Sequence, residues 1–312
     1  MARIPVDISV LIPCLNEAEN VLAIADAVAG ALVASGVSYN ITFIDNGSSD
    51  GTVDLVKGLC GRDDRVRLIV NNRNFGQMRS PTYGIYQTDG RAVVGIAADF
   101  QDPPELIGEF IARWRAGAQI VLAVRQSENT SFLLRALRAV GYGFFNRFGD
   151  YPVIPGATGF GLYDRVVVDC LKSWRDPEPF FRGMLVESGF PLETVPYHKP
   201  PRAGGRTKNN LRTLVSFALS GVANSSKKLL RAPIYISLVL FAVSAVAAAG
   251  SLVGLVMGAR VLGALVTAVL ALLFALLFFF VGLIGDQVRL ISEMARNVPL
   301  VTEKERVNFP VD

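Results

Sequence analysis

From Ala232 to Ala259, and again from Val261 to Gly285, the chain carries no charged side chain, and a single Arg260 separates the two runs. At about 1.5 Å of rise per residue, either run exceeds the roughly 20 residues that cross a bilayer core. A buried helix of a soluble protein seldom stretches so far without a polar face. The pattern therefore predicts a two-helix transmembrane hairpin over 232–286. The apolar share of 51% is high for a soluble chain, and these runs concentrate it.

The flanks set the expected orientation. Lys227, Lys228 and Arg231 precede the first run, and Arg289, Arg296, Lys304 and Arg306 follow the second. Basic residues stay on the cytoplasmic side, so both termini are expected there. Arg3 is followed by a short strand-like run rather than a long apolar stretch with a cleavage site, so no signal peptide is expected. The resulting expectation is a multi-pass protein of the inner (plasma) membrane. Residues 1–210 would form a cytoplasmic domain, 211–231 an amphipathic interfacial helix, 232–286 the hairpin, and 287–312 a cytoplasmic tail. Leu211, Leu214, Val215, Ala218, Leu219 and Val222 supply the apolar stripe of that interfacial helix. Residues 132–148, with Arg135, Arg138 and Arg147, suggest a second helix of the kind. Cys14, Cys60 and Cys170 lack metal-like spacing and read as free thiols in a reducing compartment.

Before the apolar runs, short β-branched strands alternate with helical spacing. Ile8–Ile12, Ile41–Ile44, Val66–Val70, Ala92–Ile96 and Ile120–Val124 read as strands. Val21, Ile24, Ala25, Val28 and Leu32 repeat as one helix face. This predicts an α/β domain, a mostly parallel, Rossmann-like sheet with helices on both faces. Ligands of such sheets bind beyond the carboxyl ends of the strands, where Asp45, Asp99 and Arg125 fall. A dinucleotide-binding dehydrogenase is disfavoured, because the first turn, Pro13-Cys14-Leu15-Asn16-Glu17, holds no glycine to let backbone amides approach a pyrophosphate.

Six segments then occur in one order: VLIPCLNEAENV, FIDNGSSDGT, NRNFGQ, ADFQDPPE, FFRGMLVESGF and VPYHKPPRAGGRTK, followed by the paired apolar runs. This ordered set resembles family 2 glycosyltransferases of the GT-A type. Within them it is most similar to the polyprenyl-phosphate glycosyltransferases, like dolichol-phosphate mannose synthase and bactoprenol glucosyltransferase. The resemblance implies a GT-A domain followed by interfacial helices and two transmembrane helices. It implies a nucleotide-sugar donor, a UDP-hexose by family frequency, and polyprenyl (undecaprenyl) phosphate as acceptor. Lipid bilayer, a homo-oligomer (dimer or tetramer) and a downstream flippase would be partners, and nucleic acid would not.

The resemblance also assigns residues. Pro13, Leu15, Asn16, Glu17, Asp45, Asn46, Ser48, Asn74, Gly76, Gln77, Ala98 and Asp99 would line the nucleotide sugar. Asp45 would accept from the donor's base; the plainer alternative is an aspartate that caps the next turn. Asn46 stands where the family often has a second aspartate, and Asn74, Gly76 and Gln77 would form a loop over the nucleotide. Asp99, Asp102 and Arg125 would be catalytic. Asp99 and Gln101 would hold a divalent cation, Mg2+ or Mn2+, on the donor diphosphate, since hard cations prefer oxygen ligands. Ala97 departs from the family's Asp-x-Asp, leaving the metal set one carboxylate poorer. Asp102-Pro-Pro-Glu105 reads equally as a helix cap with its capping-box partner.

Two further departures are Gly161, in place of a family arginine, and Gly159, in place of an occasional aspartate; an altered donor subsite, or lost activity, would follow. Arg202, Arg206 and Lys208 would bind acceptor or donor phosphate. The plainer alternative is a basic loop drawn to anionic lipid. His198, the one histidine, reads as a loop residue. A lipid phosphate is already an anion, so catalysis would be alignment plus neutralisation of the leaving diphosphate, with inversion. Two other classes compete: a nucleotide-sugar or lipid-phosphate binding protein without turnover, and a processive polysaccharide synthase. The second lacks its usual extra spans and Gln-x-x-Arg-Trp motif here.

Overall fold

The computed structural model describes residues 6–126, 154–198, 262–295 and 297–309. These fall into two compact units, with 262–295 in one and the remainder in the other. The larger unit begins β1 (Ile8–Cys14), α1 (Val21–Ala34), β2 (Tyr39–Asp45), α2 (Thr52–Cys60), β3 (Val66–Asn71), α3 (Gly76–Tyr86) and β4 (Ala92–Gly95). It continues with α4 (Leu106–Arg115), β5 (Ile120–Arg125), β6 (Ala157–Asp164), α5 (Arg165–Ser173), α6 (Phe181–Glu187) and β7 (Leu192–Tyr197). After the second unit's helix α7 (Leu262–Ala295) comes β8 (Glu303–Val307).

All eight strands form one sheet in the order β7-β5-β6-β4-β1-β2-β3-β8. The five expected strands are present with boundaries shifted by a residue or two. The sheet is mixed rather than simply parallel, because β6 runs against β4 and β5, and β8 runs against β3. Neither reversed strand carries a strong pattern. ATGFGLYD holds two glycines, and EKERV has four charges in five residues.

Alternation along the strands sorts the core into two layers. Ile8, Val10, Ile12, Phe43 and Leu68 face α1, α2 and α4. Leu11, Ile44, Ile69, Val93 and Tyr163 face α3, α5 and α6. Helices thus cover both faces, as expected for such a sheet.

In the second unit, α7 runs 34 residues, about 51 Å at the α-helical rise. It does not end near 286 as expected but continues across Asp286 and Arg289. Its exposed Leu270, Phe274, Leu277, Val281, Ile284, Val288 and Ile291 recur at three- and four-residue steps and share one face. Among the side chains described, no helix presents an unbroken run long and apolar enough to cross a membrane. Residues 132–148, 211–231 and the first apolar run lie outside the described residues. Within the tail segment 287–312, residues 287–295 extend α7 and 303–307 form β8. Paired backbone, rather than side-chain pattern, makes that last strand.

Candidate functional site

The chain runs β1, β2, β3 outward on one side of the sheet, then returns to β4 on the other side of β1. The carboxyl end of β1 is therefore the point where strand order reverses, the usual ligand crevice of an open α/β sheet. Register brings Cys14 opposite Asp45 and Leu11 opposite Gly95, so the loops after β1, β2 and β4 share that edge. Because β6 is reversed, its first residues, Ala157 to Gly159, lie there too.

The loops after β1 and β2 are laced together. Asn16, at φ +54°, donates its backbone N–H to Ser48 Oγ at 2.8 Å and accepts from the Ser49 N–H at 2.8 Å. The Glu17 N–H donates to Thr52 Oγ1 at 2.9 Å, and the Ala18 N–H to Asp50 Oδ2 at 3.3 Å. Burial pushes the Asp50 carboxyl up, but hydrogen bonds from the Thr52 hydroxyl and amide outweigh it and hold the group below its usual range. Gly47 (φ +84°) closes the turn; a Cβ there would meet the Arg73 carbonyl carbon at 2.9 Å. Pro13 and Leu15 are half-buried beside these contacts.

Asp45 is 1% exposed and does two things. Its Oδ2 accepts from the Gly47 and Ser48 N–H groups at 3.0 Å each, which is the turn-capping alternative realised. Its Oδ1 is buried with no donor among the described residues. A buried carboxylate oxygen without a donor is costly. An N–H from a bound ligand would offset that cost.

Asn46 is 7% exposed and joins three segments. Its Nδ2 donates to Asn74 Oδ1 at 2.9 Å and to the Gly76 carbonyl at 3.3 Å. Its Oδ1 accepts from Asn71 Nδ2 at 3.2 Å and from the Phe75 N–H at 2.9 Å. Gly76 and Gln77 are not loop residues as expected; they open α3. Pro81 inside that helix hides it from sequence reading.

Past β4, Ala98 is buried, and Asp99 Oδ1 accepts the Gln101 N–H at 3.2 Å. Phe100, at φ +57°, carries the turn in the left-handed region, a strain of order 1 kcal/mol or more for such a residue. Asp102 is 8% exposed, and its Oδ1 accepts the Tyr197 hydroxyl at 2.8 Å. The expected capping box gives way here. Helix α4 starts only at Leu106, with Glu105 in the cap position and no side-chain cap bond. Burial, then the Asp102 charge, holds the Tyr197 phenol well above its usual range, so it stays a donor. Thr158 Oγ1 lies 3.5 Å from the same phenol. Tyr197 went unread as a site residue; the signal was its place at the carboxyl end of a strand. Arg125 ends β5, exposed, and its N–H donates to the Gly156 carbonyl at 3.0 Å. His198 follows β7, exposed.

Gly161 has a packing explanation rather than a donor-subsite one. A Cβ there would lie 2.3 Å from the Val121 carbonyl oxygen, so β6 meets β5 too closely for any side chain. The altered-subsite reading therefore gains nothing from it. Gly159 sits at φ +91°, a conformation aspartate adopts only under strain. Burial, with the nearby Asp45, Glu17 and Asp50 charges, raises the Cys14 thiol, and burial pushes Cys60 up to about 11, so neither is a nucleophile at neutral pH. Arg202, Arg206 and Lys208 lie outside the described residues. Among the described residues no three His, Cys, Asp or Glu side chains converge as a metal site.

Residues 9–171 match the family described as Glycosyl transferase family 2. The chain is 31% identical over 238 residues to the prophage bactoprenol glucosyl transferase homolog of Escherichia coli K12, covering 76% of this chain and 78% of that protein. It is 28% identical over 302 residues to the uncharacterized glycosyltransferase sll0501 of Synechocystis, covering 95% and 94%. The crystal structure of mannosyl-3-phosphoglycerate synthase from Rubrobacter xylanophilus shares the fold, with a TM-score of 0.50 at 18% identity over 70% of this chain and 72% of that one.

Proposed function

This chain belongs to glycosyl transferase family 2 and is a glycosyltransferase, and from that premise we propose that it moves a hexose from a UDP-sugar to undecaprenyl phosphate at the cytoplasmic membrane face. The observation that carries the acceptor is the 31% identity to a relative whose name specifies bactoprenol. The product would be a lipid-linked sugar for cell-envelope glycan, passed on by a flippase.

Donor binding follows from the laced loops. Asp45 Oδ1, buried with no donor among the described residues, suits the N–H of a pyrimidine base. Asn16, Glu17 and Ser48 border the same crevice, and the Asn46 network holds the segment from Asn71 to Gly76. Asp99 and Gln101 offer two oxygen-bearing side chains, which fit a hard cation only as part of a set completed by diphosphate and water. When bound, the cation would offset charge on the leaving diphosphate. A phosphate oxygen of the lipid attacks the anomeric carbon as the bond to the diphosphate breaks, and that electron pair leaves with the nucleoside diphosphate. The acceptor is already anionic, so no strong base is required. The role of Arg125, and of Arg202, Arg206 and Lys208, would be to hold like-charged phosphates in line.

Membrane attachment is part of the proposal. Residues 297–309 return to the compact unit that holds 6–126 and 154–198. Any crossings between those segments must then be even in number, which two spans over 232–259 and 261–285 satisfy.

The test is transfer by full-length protein in detergent, using undecaprenyl phosphate and a panel of labelled UDP-, GDP- and dTDP-hexoses. Labelled lipid is expected, abolished by excess chelator and by Asp99→Ala. Nucleotide binding without transfer from any donor would replace the transferase by a binding protein. Undiminished transfer in chelator by wild type and Asp99→Ala alike would remove the cation.

A further inference from the structure

We infer that Tyr197 is a positioning residue for the donor site, its phenol holding Asp102 and so fixing the turn that presents Asp99 and Gln101. The inference rests on the reading of that turn given above. The turn is restrained at its start, where the Ile96 N–H donates to the Leu11 carbonyl at 3.1 Å. Between its ends it is strained at Phe100. Within it, Asp99 Oδ1 takes the Gln101 amide, so the carboxylate's direction depends on where Gln101 and Asp102 are held. At its far end the Tyr197 hydroxyl donates to Asp102 Oδ1 at 2.8 Å, between two side chains that are both less than a tenth exposed.

The reach of this bond argues against an incidental contact. Strand β7 is three places from β4 in the sheet, about 14 Å at 4.8 Å per strand. The turn therefore runs back across the sheet edge, and the outermost strand supplies the donor that ends it. Phe160, with its ring 6.1 Å from that of Tyr197 and 4.9 Å from that of Phe110, fixes the phenol ring. Thr158 places the start of β6 on the same hydroxyl. One phenol thus ties β7, β6 and the turn after β4 together.

Tyr197→Phe removes the hydroxyl and keeps the ring. Expected are a roughly tenfold fall in kcat, a donor KM within about twofold of wild type, and roughly tenfold faster hydrogen exchange at the Phe100–Asp102 amides. Tyr86→Phe is the control, since that buried hydroxyl has no partner among the described residues; it should leave kcat and those amides unchanged. Faster exchange with wild-type kcat would make the phenol merely structural and overturn the inference. A fall in kcat with unchanged exchange would overturn it as well, because the effect would not pass through the turn. Failure of the transferase reading is distinct: there wild type itself transfers nothing, whereas here wild type stays active.

Discussion

At Asn46 a single amide donates to Asn74 and Gly76 while accepting from Asn71 and Phe75, linking the ends of β2 and β3 to the start of α3. An aspartate, the residue the resemblance leads one to expect, keeps the two accepted bonds and loses both donated ones. Alanine loses all four and leaves buried donors unpaired. Asn46→Ala should therefore cost roughly 1–3 kcal/mol, and Asn46→Asp, which turns a buried carboxylate oxygen on the Asn74 and Gly76 oxygens, at least as much, read as a shift in urea midpoint at constant m. Equal midpoints for wild type and Asn46→Ala would show that water replaces these bonds. What looks in the sequence like a missing charge is in the fold a two-way connector. Gly161 makes the same point from sterics: the close β5–β6 approach, not donor chemistry, accounts for it.

Among the elements, β8 was least legible, because its residues carry neither apolar alternation nor turn signals. Partners elsewhere in the chain hold it. Lys57 pairs with Glu305 at 2.7 Å, and the Asn72 N–H donates to the Thr302 carbonyl at 3.0 Å. Asn308 Nδ2 donates to the Cys60 and Val66 carbonyls at 2.8 Å each. Arg306 binds Glu303, Gln87 and Tyr83, and Phe309 stands against the guanidinium groups of Arg67 and Arg306 at 5.5 and 5.1 Å. Asn308→Ala leaves two part-buried carbonyls without that donor. It should cost about 1–2 kcal/mol and speed hydrogen exchange along the β3 edge, Val66–Asn71. Unchanged β3 protection would mean the backbone ladder suffices without its side-chain latch. By contrast β1 to β5 were readable because β-branched residues fill both faces of central strands.

Across the whole chain, acid should loosen the larger unit. Asp7 is held below its usual 3.8 by the Ser38 hydroxyl and amide, and Asp63 by hydrogen bonds from Arg65. At Asp89 burial pulls upward, but Asn40 and Arg67 outweigh it. Folded values below unfolded ones mean stability that is complete above pH 4 or so and is lost as pH falls through the folded values. Asp176, raised by burial, has the opposite sign and softens the decline. The urea midpoint should hold from neutral pH to about 4 and then drop; a flat midpoint to pH 2 would show these bonds persist in the unfolded chain.

Sequence by itself determined the mostly parallel core with helices on both faces, the carboxyl-edge placement of Asp45, Asp99 and Arg125, and the family, because short-range periodicity and ordered motifs are local properties. Tertiary structure alone decided that β6 and β8 run backwards, that Gly161 is a contact point, and that Asp102 answers to Tyr197. Each of those depends on segments far apart in the chain meeting at hydrogen-bond or van der Waals distance, and no local pattern records such a meeting.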